Sequence, residues 1–153
     1  MNIGKILKTK GYVIRSINQD AALADAVRLM VEYGIGSLMV VDAENPISII
    51  TERDVLGAAD GQLQDFTAIR VRDVMARQLV TCDSTFDMNE AMDLMTNNVT
   101  GRRIRHLPVV DDGKLTGVVS IGDIVHALLK EARFENRLLK NYIRNWPEEE
   151  HEI

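Results

Sequence analysis

The sequence has one cysteine, Cys82, among 153 residues, and that scarcity removes several kinds of protein at once. A lone thiol forms no internal disulfide and brings no companions for a cysteine-ligated metal. It lies in the run Val80-Thr81-Cys82, which reads as a short strand, so a buried small hydrophobe is expected rather than a reactive nucleophile. Histidine is nearly as scarce: His106, His126 and His151 are far apart and lack zinc-like spacing. No apolar run approaches the roughly 18 residues needed to span a bilayer. The opening Met1-Asn2-Ile3-Gly4-Lys5 also lacks the charged, apolar and small-residue order of a signal peptide, so a soluble cytoplasmic protein is expected. The formal charge of -5 disfavours a general nucleic-acid footprint and leaves only a local basic patch. Motifs of the dinucleotide-binding fold and of the P-loop are absent, and no nucleophile, base and orienting group fall together, so no enzyme activity is expected.

What is present is a repeat. Leu38-Met39-Val40-Val41-Asp42 aligns with Leu107-Pro108-Val109-Val110-Asp111 at an offset of 69. The same offset carries Ile49-Ile50-Thr51-Glu52-Arg53-Asp54 onto Val118-Val119-Ser120-Ile121-Gly122-Asp123 without a gap. Upstream, Ala26-Val27-Arg28-Leu29-Met30 corresponds to Ala91-Met92-Asp93-Leu94-Met95 at an offset of 65, so the second copy holds four additional residues within Asn98 to Arg105. An insertion beside a strand is usually a surface loop, and this one contains Thr100-Gly101-Arg102-Arg103.

Each copy reads as β-α-β-β-α, a mixed α+β arrangement, and a short apolar turn introduces it: Ile3 to Leu7 in one case, Val71 to Met75 in the other. In the first copy Val13 to Ile17 is a strand, and Leu23, Ala26, Val27, Met30 and Val31 keep helical spacing within Ala21 to Tyr33. Gly34 and Gly36 end that helix, and strands Ser37 to Val41 and Ile47 to Ile50 flank the turn Asp42-Ala43-Glu44-Asn45-Pro46. The second copy repeats the order, with strand Leu79 to Cys82, helix Met88 to Asn97, and strands Ile104 to Val110 and Leu115 to Val119 around Asp111-Asp112-Gly113-Lys114. Thr51 and Ser120 sit where helix N-caps belong, each with an aspartate three residues on. A unit near 60 residues buries little surface alone, so the two copies are expected to pair about a pseudo-twofold axis, sharing one core and enclosing clefts between them.

These residues resemble the CBS domain, and the duplication resembles a CBS pair, or Bateman module. Gly117-Val118-Val119-Ser120-Ile121-Gly122-Asp123 matches the family hallmark fully, whereas Ser48-Ile49-Ile50-Thr51-Glu52-Arg53-Asp54 has a serine in place of its glycine. The resemblance covers roughly Ile3 to Arg133, with 3–68 as first repeat and 71–133 as second. It implies binding of adenosine-containing ligands (AMP, ADP, ATP, S-adenosylmethionine or an NAD-type molecule), regulation of a partner protein, and assembly of two pairs into a flat homodimer. It implies that Thr51 and Ser120 face phosphate and that Asp54 and Asp123 hold ribose. Adenine would meet strand starts near Ser16-Ile17 and Thr81-Cys82, with Ser37 and Pro108 completing the candidate contacts.

The chemistry of the residues agrees with this assignment. A hydroxyl and free N–H groups at a helix start suit an anion, and a carboxylate one turn in accepts hydrogen bonds from ribose hydroxyls. The same residues equally satisfy plain helix capping, so a structural or interaction module with vestigial sites stands as the alternative. Arg53, Arg105 and His106, with Arg102 and Arg103, are candidates for further phosphate contacts, because guanidinium groups pair with phosphate oxygens in a bidentate manner. The rival reading for them is a solvated loop. An amphipathic helix carries Leu128, Leu129, Phe134, Leu138, Leu139, Tyr142 and Ile143 on to Trp146 and reads as a second-subunit contact over 134–146, with a cover over the pair's own sheets as the alternative. Its basic residues Arg133, Arg137, Lys140 and Arg144 read as a solvated face. Pro147 is expected to stop it, leaving 147–153 as an acidic tail.

Overall fold

The computed structural model describes residues 1–61, 65–98 and 100–145. Trp146 and the stretch 147–153, with its expected helix stop and acidic tail, lie outside them. The first helix, α1 (Ile3–Lys10), is capped by Asn2, whose side chain accepts from the Lys5 N–H at 2.9 Å. Strand β1 (Ser16–Asn18) leads to α2 (Leu23–Tyr33), which buries Leu23, Ala26 and Met30 and stops at Gly34. Gly34 takes φ 61°, a left-handed cap that glycine adopts without steric penalty.

Strands β2 (Ser37–Asp42) and β3 (Asn45–Thr51) pair antiparallel, and β1 joins β2 in parallel to give a sheet of order β1-β2-β3. Helices α3 (Glu52–Gly61) and α4 (Val71–Val74) follow, then α5 (Met88–Thr96), the antiparallel hairpin β4 (His106–Asp111) with β5 (Lys114–Ser120), and α6 (Ile121–Arg144). The duplicated β-α-β-β-α order is thus present, with one local difference. Segment Leu79 to Cys82 contributes only a single parallel bridge, Cys82 to Val109. Where Gln19 donates its N–H to the Val41 carbonyl and extends the first sheet, its counterpart Ser84 donates to the Asp111 carboxylate at 2.9 Å. A side chain has replaced a ladder carbonyl, and the strand ends.

Both hairpins turn on two residues with positive φ, Ala43 (45°) with Glu44 (74°) and Asp112 (49°) with Gly113 (76°). This is the tight turn whose twist matches that of paired strands. The four additional residues of the second copy are equally visible. Ile35 donates to Met30 at 3.0 Å, and its counterpart Ile104 donates to Met95 at 2.9 Å, so the extra chain loops out between two equivalent anchors. Asn98 ties that loop, donating to the carbonyls of Leu94 and Arg102.

The cores are built by exchange. Ile3, Ile6 and Leu7 of α1 pack with Cys82, Met88, Ala91, Met95, Leu107, Val109, Val119 and Ile124 of the second copy. Conversely, Val71 of α4 is buried with Ile17, Leu23, Ala26, Met30, Leu38, Val40 and Ile50 of the first, and Val74 and Met75 pack against that cluster. Backbone bonds repeat the exchange: Ile3 and Gly4 donate to Phe86 and Ser84, as Val71 and Arg72 donate to Ala21 and Gln19. Instead of one fused core there are two, each taking its introductory helix from the other copy. Fully burying such Ile, Leu and Val side chains is worth roughly 1.5–3 kcal/mol each, so the exchange ties the copies together.

Candidate nucleotide site between the two copies

The two hydroxyl-to-carboxylate motifs end β3 and β5 and begin α3 and α6. Register makes them equivalent, since Ser37 lies opposite Thr51 and His106 opposite Ser120. In the second copy the contact is a full capping box: Asp123 Oδ2 accepts from the Ser120 N–H at 2.8 Å, and Ser120 Oγ accepts from the Asp123 N–H at 3.1 Å. In the first, Asp54 Oδ2 accepts from both the Thr51 N–H at 2.9 Å and its hydroxyl at 3.1 Å. The Thr51 hydroxyl therefore donates to its aspartate, and the Ser120 hydroxyl accepts from the Asp123 N–H while also acting on the Asp123 carboxylate.

Charges of the two copies interleave beside these motifs. Arg53 Nη1 donates to the Arg103 carbonyl at 2.8 Å, which joins the start of α3 to the second-copy loop. A β-carbon placed on Gly36 would lie 3.4 Å from His106 Cε1 and within clashing distance of Glu52, so Gly36, Glu52 and His106 meet at close quarters. Burial pushes the His106 imidazole below its ordinary value. Glu52 opposes that, Lys10 reinforces it, Asp123 opposes it and Arg105 reinforces it. The neutral ring is favoured near pH 7.

The two aspartates differ. Burial pushes the Asp54 carboxyl above its ordinary value, outweighing the Thr51 hydrogen bonds and the attraction of Arg102 and Arg53. Burial also pushes Asp123 upward, yet there the Lys10 and Ser120 bonds prevail and hold it below the ordinary value. Lys10 Nζ lies 2.6 Å from Asp123 Oδ2 and 2.6 Å from the Val118 carbonyl oxygen. Sequence reading did not single out Lys10 or Glu52. A signal existed for the lysine, because Ile3, Ile6, Leu7 and position 10 continue one helical face, and a lysine on an inward face must end on a polar partner.

The remaining candidates sit less centrally. Ile17 and Cys82 are 7% and 4% exposed, with side chains inside the two cores. Burial first, then Asp83 and Asp111, push the Cys82 thiol up to about 12, so it is not a nucleophile at neutral pH. Both backbone groups of Cys82 are engaged, with Pro108 and Val110. Ser16 and Thr81 are exposed beside them, Pro108 is buried within β4, and Arg105 is exposed.

The glycine that distinguishes the motifs has a packing role. A β-carbon on Gly117 would lie 2.8 Å from Leu7 Cδ2, so the absent side chain is what admits α1 against β5. Ser48 is buried, and its hydroxyl donates to the Ala76 carbonyl at 2.6 Å while Ala76 donates to Ile49 at 3.0 Å. Helix α4 ends after one turn, and an irregular segment lies where α1 continues in the other copy.

Residues 8–61 and 71–130 match the model of the CBS domain. The chain belongs to the CBS domain family. It is 35% identical over 151 residues to the CBS domain-containing protein CBSX3, mitochondrial, of Arabidopsis thaliana, covering 93% of this chain and 71% of that one. It is also 34% identical over 112 residues to an inosine-5'-monophosphate dehydrogenase of Methanocaldococcus jannaschii, covering 72% of this chain but 21% of the enzyme. Among solved structures, the CBS-domain containing protein ATU1752 of Agrobacterium tumefaciens superposes with a TM-score of 0.77 at 31% identity, over 83% of this chain and 98% of that one. CBS domains are typically regulatory, non-catalytic modules and generally bind adenosyl-type ligands, and this chain is a tandem pair of them. Among the described residues no helix is long and apolar enough to cross a membrane.

Proposed function

We propose that this CBS pair is an adenine-nucleotide sensor, taking AMP, ADP or ATP in the cleft between its copies and altering a partner protein or its own assembly. S-adenosylmethionine and NAD-type molecules belong to the same ligand class. The observation that carries the reading is the interleaving of charge: each hydroxyl-to-aspartate motif starts a helix beside groups of the other copy, Asp54 near Arg102 and His106 near Glu52. In this proposal Ser120 and Thr51 face phosphate, Asp123 and Asp54 hold ribose, and Arg53, Arg105 and His106 supply further phosphate contacts. Ser37 and Pro108 with the strand starts at Ser16-Ile17 and Thr81-Cys82 border the base. A ligand touching both copies biases their relative arrangement in proportion to its differential affinity.

Calorimetric titration of the full chain with AMP, ATP, S-adenosylmethionine and NAD tests this. Saturable binding that Asp123→Ala abolishes supports the sensor. No binding by any of the four favours the rival reading, an interaction module whose motifs serve only as the helix caps described above.

Self-assembly is proposed through α6. From Ala132 to Asn145 every described residue is exposed, and Val125, Leu129, Ala132, Asn136, Leu139 and Ile143 recur at alternating spacings of four and three. That is the seam of a two-stranded coiled coil, with Asn136 at a position where asparagine fixes register. Parallel pairing would set Glu135 against Lys140 of the partner subunit, a favourable flanking charge pair, whereas antiparallel pairing would bring Arg133 toward Lys140 of the partner subunit. Charge thus favours a parallel homodimer.

A further inference from the structure

The Lys10 ammonium partners the ribose-holding carboxylate of the proposed second-copy site without a ligand. It donates to Asp123 Oδ2 at 2.6 Å, and the same oxygen accepts from the Ser120 N–H at 2.8 Å. A ribose hydroxyl approaching Asp123 Oδ2 therefore meets an oxygen already held by a cation and a backbone N–H. The first copy offers no counterpart, because α4 ends at Val74 and among the described residues Asp54 has no ion pair within contact distance. Arg102 and Arg53 act on Asp54 only as neighbouring charges.

Lysine has a flexible stem and a point charge, so it leaves one anion for another at small conformational cost when the second lies within reach. The second anion is defined by the geometry. Lys10 and the Ser120 N–H converge on a single oxygen at the start of α6, which is the end of the helix where a phosphate is electrostatically favoured. The side chains of Lys10 and Asp123 are 36% and 24% exposed, so the ammonium has room to turn while the carboxylate remains partly sheltered.

Resting on the nucleotide reading above, we propose that Lys10 is a specificity-determining residue that makes the second-copy site select phosphorylated nucleosides over bare ones. An unphosphorylated adenosine whose hydroxyl takes Asp123 Oδ2 displaces Lys10 from it and gives the ammonium nothing in return. A nucleoside phosphate displaces it equally and supplies a phosphate oxygen as its new partner. Lys10 thereby converts the carboxylate, a general ribose acceptor, into one that opens to a charged ligand. The residue comes from α1, so occupancy of the second copy's site is reported to the helix that precedes the first copy's strands.

The test is calorimetry of adenosine and AMP with the full-length wild type, Lys10→Met and Lys10→Arg, each checked for an unchanged far-ultraviolet spectrum. In the wild type AMP binds about tenfold or more tightly than adenosine, a difference near 1.4 kcal/mol. Lys10→Met brings the ratio toward one by strengthening adenosine and weakening AMP together, and Lys10→Arg keeps most of the preference. An unchanged ratio in Lys10→Met, or equal weakening of both ligands, overturns the proposal. Adenosine binding that appears only in Lys10→Met would refute nucleotide sensing by the natural chain while sustaining the lysine as the gate. Binding by neither protein would overturn both.

Discussion

Leu7 fills the space that a side chain on Gly117 would require. A β-carbon there would stand 2.8 Å from Leu7 Cδ2 and 3.1 Å from Cδ1, and Leu7 itself is fully buried among second-copy residues. The glycine of the hallmark sequence is thus fixed by the helix that the chain donates across its pseudo-twofold relation. Gly117→Val should destabilise the fold by about 1–3 kcal/mol, the usual range for forcing extra volume into a packed site. Leu7→Ala alone should cost about 2–5 kcal/mol. Combined with Gly117→Ala, it should cost less than the sum of the two single changes, because the truncated Leu7 makes room for the new methyl. Urea denaturation of the four proteins measures the coupling, and strict additivity would show that the two residues do not compete for space.

At the equivalent position of the first copy the roles change. Ser48 is buried and its hydroxyl satisfies the Ala76 carbonyl. Ser48→Ala removes that donor without adding bulk and should cost about 0.5–1.5 kcal/mol, the net worth of one hydrogen bond to a part-buried acceptor. Ser48→Gly, which restores the family glycine, should be no better. A stabilised Ser48→Gly protein in thermal melts would contradict this account.

The repeat, both hairpins and helix α2 were legible in the sequence because each rests on local period and turn chemistry. The exchange of introductory helices was not. Ile3 to Leu7 and Val71 to Met75 share one apolar pattern, so neither period nor propensity says which copy each will cover; only the packed cores decide it. The segment ending at Cys82 has the pattern of a full strand but makes a single bridge for a related reason, since the Asp111 carboxylate that captures the Ser84 amide leaves no trace in hydrophobic alternation. In the first hairpin, the sequence places Pro46 in the turn, yet it lies at the second position of β3 opposite Val41, where the register shifts between Val40 and Val41. Proline is tolerated at such strand starts and irregularities. Within the candidate site, the motifs were visible and Lys10 was not, because its partner lies 113 positions along the chain.

The first hairpin carries avoidable strain. Ala43 and Glu44 adopt φ of 45° and 74°, a region that costs ordinary L-residues roughly 1–2 kcal/mol each. The second hairpin has Asp112-Gly113 at the same positions. Replacing Ala43-Glu44 with Asn-Gly should therefore stabilise the protein by about 1 kcal/mol or more, read as a higher urea midpoint at unchanged slope. An unaltered midpoint would mean that this turn relaxes without penalty.

The two motif aspartates should shift stability with pH in opposite senses. The Asp123 carboxyl is held below its ordinary value in the folded protein, so folding gains from its ionisation. That gain is present above the unfolded value of about 3.9 and is lost as pH falls through the lower folded value. Asp54 is raised by burial, so its contribution is present below the unfolded value and lost as pH rises through the folded one. Asp123→Asn should be less stable than wild type near pH 7, with the deficit closing toward pH 3. Asp54→Asn should be neutral or stabilising near pH 7, and that difference should fade in acid. Parallel difference curves for the two variants would show that Lys10 does not distinguish them.

Helix α6 offers the sharpest test of assembly. The proposed seam depends on Leu139 and Ile143, which are 58% and 59% exposed, and on Asn136 between two apolar positions. Leu139→Asp should shift the chain from dimer to monomer in sedimentation equilibrium, because it sets two like charges against each other across a self-pairing seam. Specificity for parallel pairing is a separate matter, carried by Glu135 and Lys140. Glu135→Lys should weaken the dimer, and adding Lys140→Glu should restore it by exchanging the two charges. The rescue discriminates between geometries: in a parallel pair the exchanged charges attract again, whereas in an antiparallel pair they do not meet. Loss of dimer in both the single and the double variant would therefore leave the apolar seam in place and overturn the parallel arrangement.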